Sequence, residues 1–151
     1  MSNRPSVDVD LSEASLEDGL VAIAGFQNDK GIPIQVMPDA LVVSRQNIFN
    51  AQRILKSTYQ NDTANNAINA IKAMNALPSG VYVNHYLTDV NAWFIKNRIP
   101  NGSGFVLFDR MPLEFDQDND FSTKNALASS IQRFSVLVSD PRCYYGTQGA
   151  T

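Results

Sequence analysis

Phe134-Ser-Val-Leu-Val138-Ser139-Asp140-Pro141-Arg142-Cys143-Tyr144-Tyr145-Gly146-Thr-Gln-Gly149-Ala150 passes from an apolar run, through a polar break, to an ending of small residues. Phe134 to Val138 is rich in β-branched and aromatic side chains, which suits a strand. Pro141 has no N–H to give to a ladder and ends it. Upstream, Lys124 to Val138 is ambiguous: Leu127, Ile131 and Phe134 fall at helical spacing, so local pattern alone favours a helix that turns into a strand. Phe105-Val-Leu-Phe108 and Met111 to Phe115 read as strands, and Asp116-Gln-Asp-Asn-Asp120 as an acidic turn. Nothing in this third of the chain pairs a nucleophile with a base, and its pattern is architectural.

Toward the beginning, residues 1–10 are polar, carry Pro5 and lack periodicity, so a weakly ordered lead is expected there. Leu16, Leu20, Ile23 and Ala24 then share one face of a helix interrupted by Gly19 and Gly25, with Asp10 and Glu13 as a capping box and Gly31 as its stop. Ile32 to Val36 and Ala40 to Val43 are short strand pieces interrupted by Pro33 and Pro38. Ser44 is placed to cap a helix that carries Ile48, Ala51, Ile54 and Leu55. Gln60 to Asn69 reads as a polar loop, and Ala67, Ile68, Ile71 and Met74 as a short helix stopped before Pro78. Gly80 to Tyr86 alternates as a strand, Leu87 to Ala92 makes a capped turn into Trp93-Phe94-Ile95, and Pro100 to Gly104 is a turn.

A chain of 151 residues, 44% hydrophobic and 18% charged, is long enough for a real core and too apolar for disorder. Its net charge of −3 and its scattered Lys and Arg residues argue against tight nucleic-acid binding, which needs a basic face. No apolar run approaches the ~20 residues of a membrane helix, and a cytoplasmic product is expected. Cys143 is alone, so no intrachain disulfide is available.

Chemistry-bearing residues are sparse. His85 is the one histidine, and with Cys143 it supplies two of the four ligands a structural zinc site needs. Asp116, Asp118 and Asp120 match the first acidic positions of a calcium loop. Phe121 replaces its turn glycine and Leu127 its bidentate glutamate, so the loop fails where it is most restrictive. Trp93 and Phe94 read as core anchors, while Asp140 and Arg142, flanking Pro141, are either a local ion pair or candidates for a subunit interface. No catalytic residue, cofactor or metal is expected. The alternative is a small α+β enzyme or ligand-binding domain using His85 and Asp89 around a deep pocket.

Several pieces acquire specificity from their order. Leu41-Val-Val43 precedes the helix to Leu55, and Leu77-Pro78 leads into Tyr82-Val-Asn-His-Tyr-Leu-Thr-Asp89. Ala92-Trp-Phe94 follows, then Asp118-Asn-Asp-Phe-Ser-Thr123 and the ending from Ser139 to Ala150. Together they resemble the C-terminal half of the major capsid protein of tailed bacteriophages, of the Hong Kong-97-type fold. The resemblance implies an α+β chain with an axial lobe of mixed sheet flanked by helices over 11–104 and peripheral-lobe β-strands over 105–151. One long strand would run through 124–138. The N-terminal arm, extended hairpin and spine helix of that fold are absent, so the chain is either a piece of a longer product or a reduced relative.

The implied function is that of a structural subunit of a phage or prophage icosahedral capsid. Its partners would be copies of itself in pentameric and hexameric rings, with scaffold and portal proteins, around DNA enclosed without specific binding and without a membrane. It would reside in the virion capsid, and in the host cytoplasm during assembly. A shell-forming compartment protein with other cargo is a neighbouring reading. Val138 and Cys143 depart from the aromatic residue and the glycine that the family often carries there.

Overall fold

The computed structural model describes residues 2–60, 67–99 and 104–149. Its elements are α1 (Glu13–Ala24), β1 (Met37–Val43), α2 (Ile48–Lys56), α3 (Ala70–Ala73), β2 (Gly80–Val83) and β3 (Trp93–Arg98). Then come β4 (Phe105–Asn119), β5 (Ala126–Val138), a 3-10 turn (Pro141–Cys143) and β6 (Tyr144–Thr147). The chain forms two units, residues 1–102 with 141–151, and residues 103–140. Most of the loop expected after Gln60 and of the turn expected after Pro100 lies outside the described residues.

The first unit is built on a four-stranded sheet in the order β2-β1-β3-β6. β1 and β2 are parallel, so the chain between them must cross over, and α2 and α3 make that crossing. The other pairs are antiparallel. Along β3 the pleat buries Trp93, Ile95 and Asn97 and turns Lys96 and Arg98 outward. Leu16 and Ile23 of α1 join Leu41, Val43, Trp93, Ile95 and Tyr145 in the core.

Gly19 does not break α1. It is buried, and a Cβ there would lie 3.2 Å from the side chains of Ile95 and Tyr145, so its smallness lets the helix approach the sheet. The capping box is made by Ser12 and Ser15 rather than by Asp10 and Glu13. Ser12 Oγ accepts from Ser15 N at 3.2 Å, and Ser12 N donates to Ser15 Oγ at 2.9 Å. The helix stops at Gly25, before the expected Gly31.

Ser44 is also not a cap, since α2 starts after Asn47. Ser44 is buried and donates from Oγ to Val90 O at 2.6 Å, tying the end of β1 to the turn that precedes β3. The strand expected over Ile32 to Val36 is reduced to an isolated bridge between Gln27 and Pro33. The ladder between β1 and β3 is irregular between Pro38 and Ala40, where the proline has no donor.

The second unit is one long antiparallel hairpin of β4 and β5, 15 and 13 residues long. Residues 126–138 are strand throughout, as the resemblance implied and against the helix that local spacing favours. Leu127, Ile131 and Phe134 satisfy either period, and pairing with β4 selects the extended one. The acidic turn expected over Asp116 to Asp120 is displaced: residues 116–119 belong to β4, and the chain reverses over 120–125. Two further expectations are corrected. Residues 105–151 do not form one set of strands, because β6 closes the sheet of the first unit beside β3. Within 105–138 the strands form one long hairpin, where two shorter strands, an acidic turn and a long returning strand were expected.

Candidate functional site

The lead over residues 1–10, expected to have little order, is tied to the first unit by long-range hydrogen bonds. Gly146 N donates to Asn3 O at 3.2 Å, beside the outer edge of β6. Thr147 Oγ1 donates to Asp8 Oδ1 at 2.7 Å, and Arg4 reaches the same carboxylate at 2.8 Å. Trp93 Nε1 donates to Val9 O at 3.0 Å. These contacts satisfy polar groups that would otherwise be stranded at the sheet edge and inside the core. No local pattern in the sequence announces them, because the partners stand far apart along the chain.

Trp93 is fully buried and Phe94 is partly exposed on the opposite face of β3. Trp93 and Tyr145 also border a cavity of about 740 Å³, whose wall continues through Val7, Val9, Asp10 and Asp18. Burial, with the Asp18 carboxylate second, pushes the Tyr145 hydroxyl above the ordinary tyrosine range. Neither His85 nor Asp89 borders this cavity. Both are exposed in the turn after β2, and Asp89 Oδ1 accepts from Asn91 N at 3.1 Å. This cavity therefore does not serve the pair on which an enzymatic reading rests. Among the described residues, no group of three or more His, Cys, Asp or Glu side chains is placed to hold a metal ion.

Asp140 and Arg142 flank Pro141 and are both half-buried. The carbonyl of Arg142 accepts from Asn97 Nδ2 at 2.9 Å, which fixes the 3-10 turn to β3. Cys143 in that turn is buried, as suits a small packed side chain.

Among the described residues, exposed large apolar side chains are densest on the hairpin. Phe105, Leu107, Phe108, Phe115, Phe134 and Val136 are all more than half exposed, and every residue of β5 is exposed. An aqueous surface that exposes so much contiguous apolar area marks a place of contact. Its turn is rigidly built. Asp120 accepts from Ser122 N at 2.9 Å, from Ser122 Oγ at 2.7 Å and from Thr123 Oγ1 at 2.8 Å. These donors hold the carboxylate in its charged form and lower its pKa to about 2. Lys124 adopts a positive φ of 59°, and its ammonium lies 4.3 Å from the centre of the Phe121 ring.

Charge is divided unevenly as well. Residues 103–140 carry six carboxylates and three cations, which accounts for the whole net charge of −3 and leaves the rest of the chain neutral. Sequence reasoning missed this surface because it placed the carboxylates of 116–120 in a turn, and strand pattern alone does not tell which apolar side chains stay exposed.

In comparison with known protein families, residues 3–146 match the model of a family described as phage capsid protein. No curated protein matches the chain.

Proposed function

We propose, from the premise that this chain belongs to the phage capsid protein family, that it is the shell subunit of a phage or prophage and works by binding copies of itself into rings that close as an icosahedron. Membership makes it a structural protein of the bacteriophage virion, located in the capsid. The α+β fold, with a mixed sheet and few helices, is compatible with such a protein. In our reading it is of the Hong Kong-97 type, with the sheet of the first unit as its axial lobe. Assembly would take place in the host cytoplasm, with scaffold and portal proteins, around DNA that is contained rather than tightly bound.

The observation that carries the reading is the hairpin, whose apolar side chains lie open on both faces of a two-stranded sheet. A subunit made for self-association needs surface of this kind, and contacts that are individually modest close a ring when each copy uses the same pair of surfaces. Asp140 and Arg142, where the chain leaves the hairpin, are the polar residues we assign to the rim of such a contact. Negative-stain electron microscopy of the purified protein tests the function. Closed shells or rings with five- and six-fold symmetry are expected, and a uniformly small, non-assembling particle at high concentration would overturn it.

A further inference from the structure

β5 runs unbroken from Ala126 to Val138, so its side chains alternate between two faces, and the register transmits that alternation to β4. The ladder slips twice, between Asp109 and Met111 and again between Met111 and Glu114, and each slip adds one residue to β4. A single bulge would exchange the two faces for everything beyond it, and the second restores them. One continuous face therefore carries Phe105, Leu107 and Phe115 from β4 with Phe134, Val136 and Val138 from β5. Asp109 is the one charged residue among its paired positions. The opposite face places Glu114, Asp116 and Asp118 in a row, with Arg133 nearer the hairpin's base.

We propose that the neutral face is where two copies of this chain meet, stacked face to face and antiparallel about a two-fold axis near Gln132. The proposal rests on the self-association reading and specifies one surface of it, a two-fold contact that joins rings to one another rather than closing them. Charge selects the face: joined antiparallel through the other one, two copies would bury six carboxylates against largely apolar rows with only two Arg133 side chains to offset them, while this face buries the two Asp109 carboxylates alone.

Side-chain size selects the direction. Along β5 the neutral face is large at its base, with Phe134, Val136 and Val138, and small toward its turn, with Ala126, Ala128 and Ser130. Antiparallel stacking sets the large residues of one copy against the small residues of the other, as close packing requires. It also brings the row of Asp109 and Phe134 opposite the row of Phe115 and Ser130, where a hydroxyl can meet the carboxylate. The six apolar side chains are 48–75% exposed. Covering them would remove roughly 600 Å² from each copy, the lower end of a standard interface.

The test compares Gln132→Cys, at the centre of the neutral face, with Ile131→Cys, beside it on the charged face, in a background where Cys143 is buried. Each variant is treated with a bismaleimide of about 10 Å span, the spacing of stacked sheets. Gln132→Cys is expected to yield covalent dimers and Ile131→Cys to yield few or none. In parallel, light scattering is expected to show that Leu107→Asp reduces association while Asp116→Asn preserves or strengthens it, with circular dichroism confirming that both variants fold. Rings or shells whose Gln132→Cys copies do not link, or Leu107→Asp copies that associate normally, would overturn the face assignment and leave the capsid reading standing. A wild-type protein that remains monomeric at high concentration would overturn both.

Discussion

Trp93 is the residue on which the first unit depends most. Its indole is fully buried, and its one polar atom is satisfied by Val9 O, so truncation would leave both a cavity and an orphaned carbonyl. Trp93→Ala is expected to cost about 3–5 kcal/mol in urea unfolding. Trp93→Phe, which keeps most of the packing and loses the hydrogen bond, is expected to cost less. At the hairpin turn, Asp120 has a folded pKa of about 2 against its ordinary 3.8. A depressed carboxylate contributes stability that is present above the unfolded value and is lost as pH falls through the folded one. NMR titration is therefore expected to show the Asp120 carboxyl changing state near pH 2, with the turn intact at pH 4 and Asp120→Ala abolishing the effect. Trp93 was legible as an anchor from its apolar neighbours. The pairings of Asp8 with Thr147 and of Asn97 with Arg142 were not, since sequence spacing says nothing about which distant polar groups the fold will bring together.

Among the elements, α1 and β6 are held by details that small substitutions can test. Ser12→Ala removes the reciprocal cap of α1 and is expected to cost about 1 kcal/mol in thermal unfolding. Gly146 sits where a Cβ would come within 2.5 Å of Trp93 O and of the Phe94 ring, so the glycine sets the spacing between β3 and β6. Gly146→Ala must push these strands apart, and about 1–3 kcal/mol of destabilisation is expected from the same measurement. Existence and order of most elements could be read from hydrophobic period, and boundaries could not. Ser44 looks like a helix cap because hydroxyls favour that position, yet Val90 O recruits it from across the unit. Residues 116–119 look like a turn because they are acidic, yet they pair along β5 with both faces open to water, where charge has no desolvation cost.

In the whole molecule, the lead is what completes the sheet edge. Deleting residues 2–9 removes the acceptors of Gly146, Thr147 and Trp93. The truncated protein is expected to melt at a lower temperature, with Trp93 fluorescence shifted to the red as water reaches the indole. The capsid family was legible from the order of several weak motifs, and the surface through which copies meet was not, because exposure of an apolar strand belongs to three-dimensional structure alone. The position of β6 also has a consequence for synthesis on the ribosome. The hairpin is contiguous and pairs locally, so it can form while the chain is still emerging, whereas β3 must wait with an open edge until residues 144–147 have been translated. A prematurely terminated chain would therefore present a finished hairpin and an unfinished sheet, with the open edge of β3 exposed to proteases.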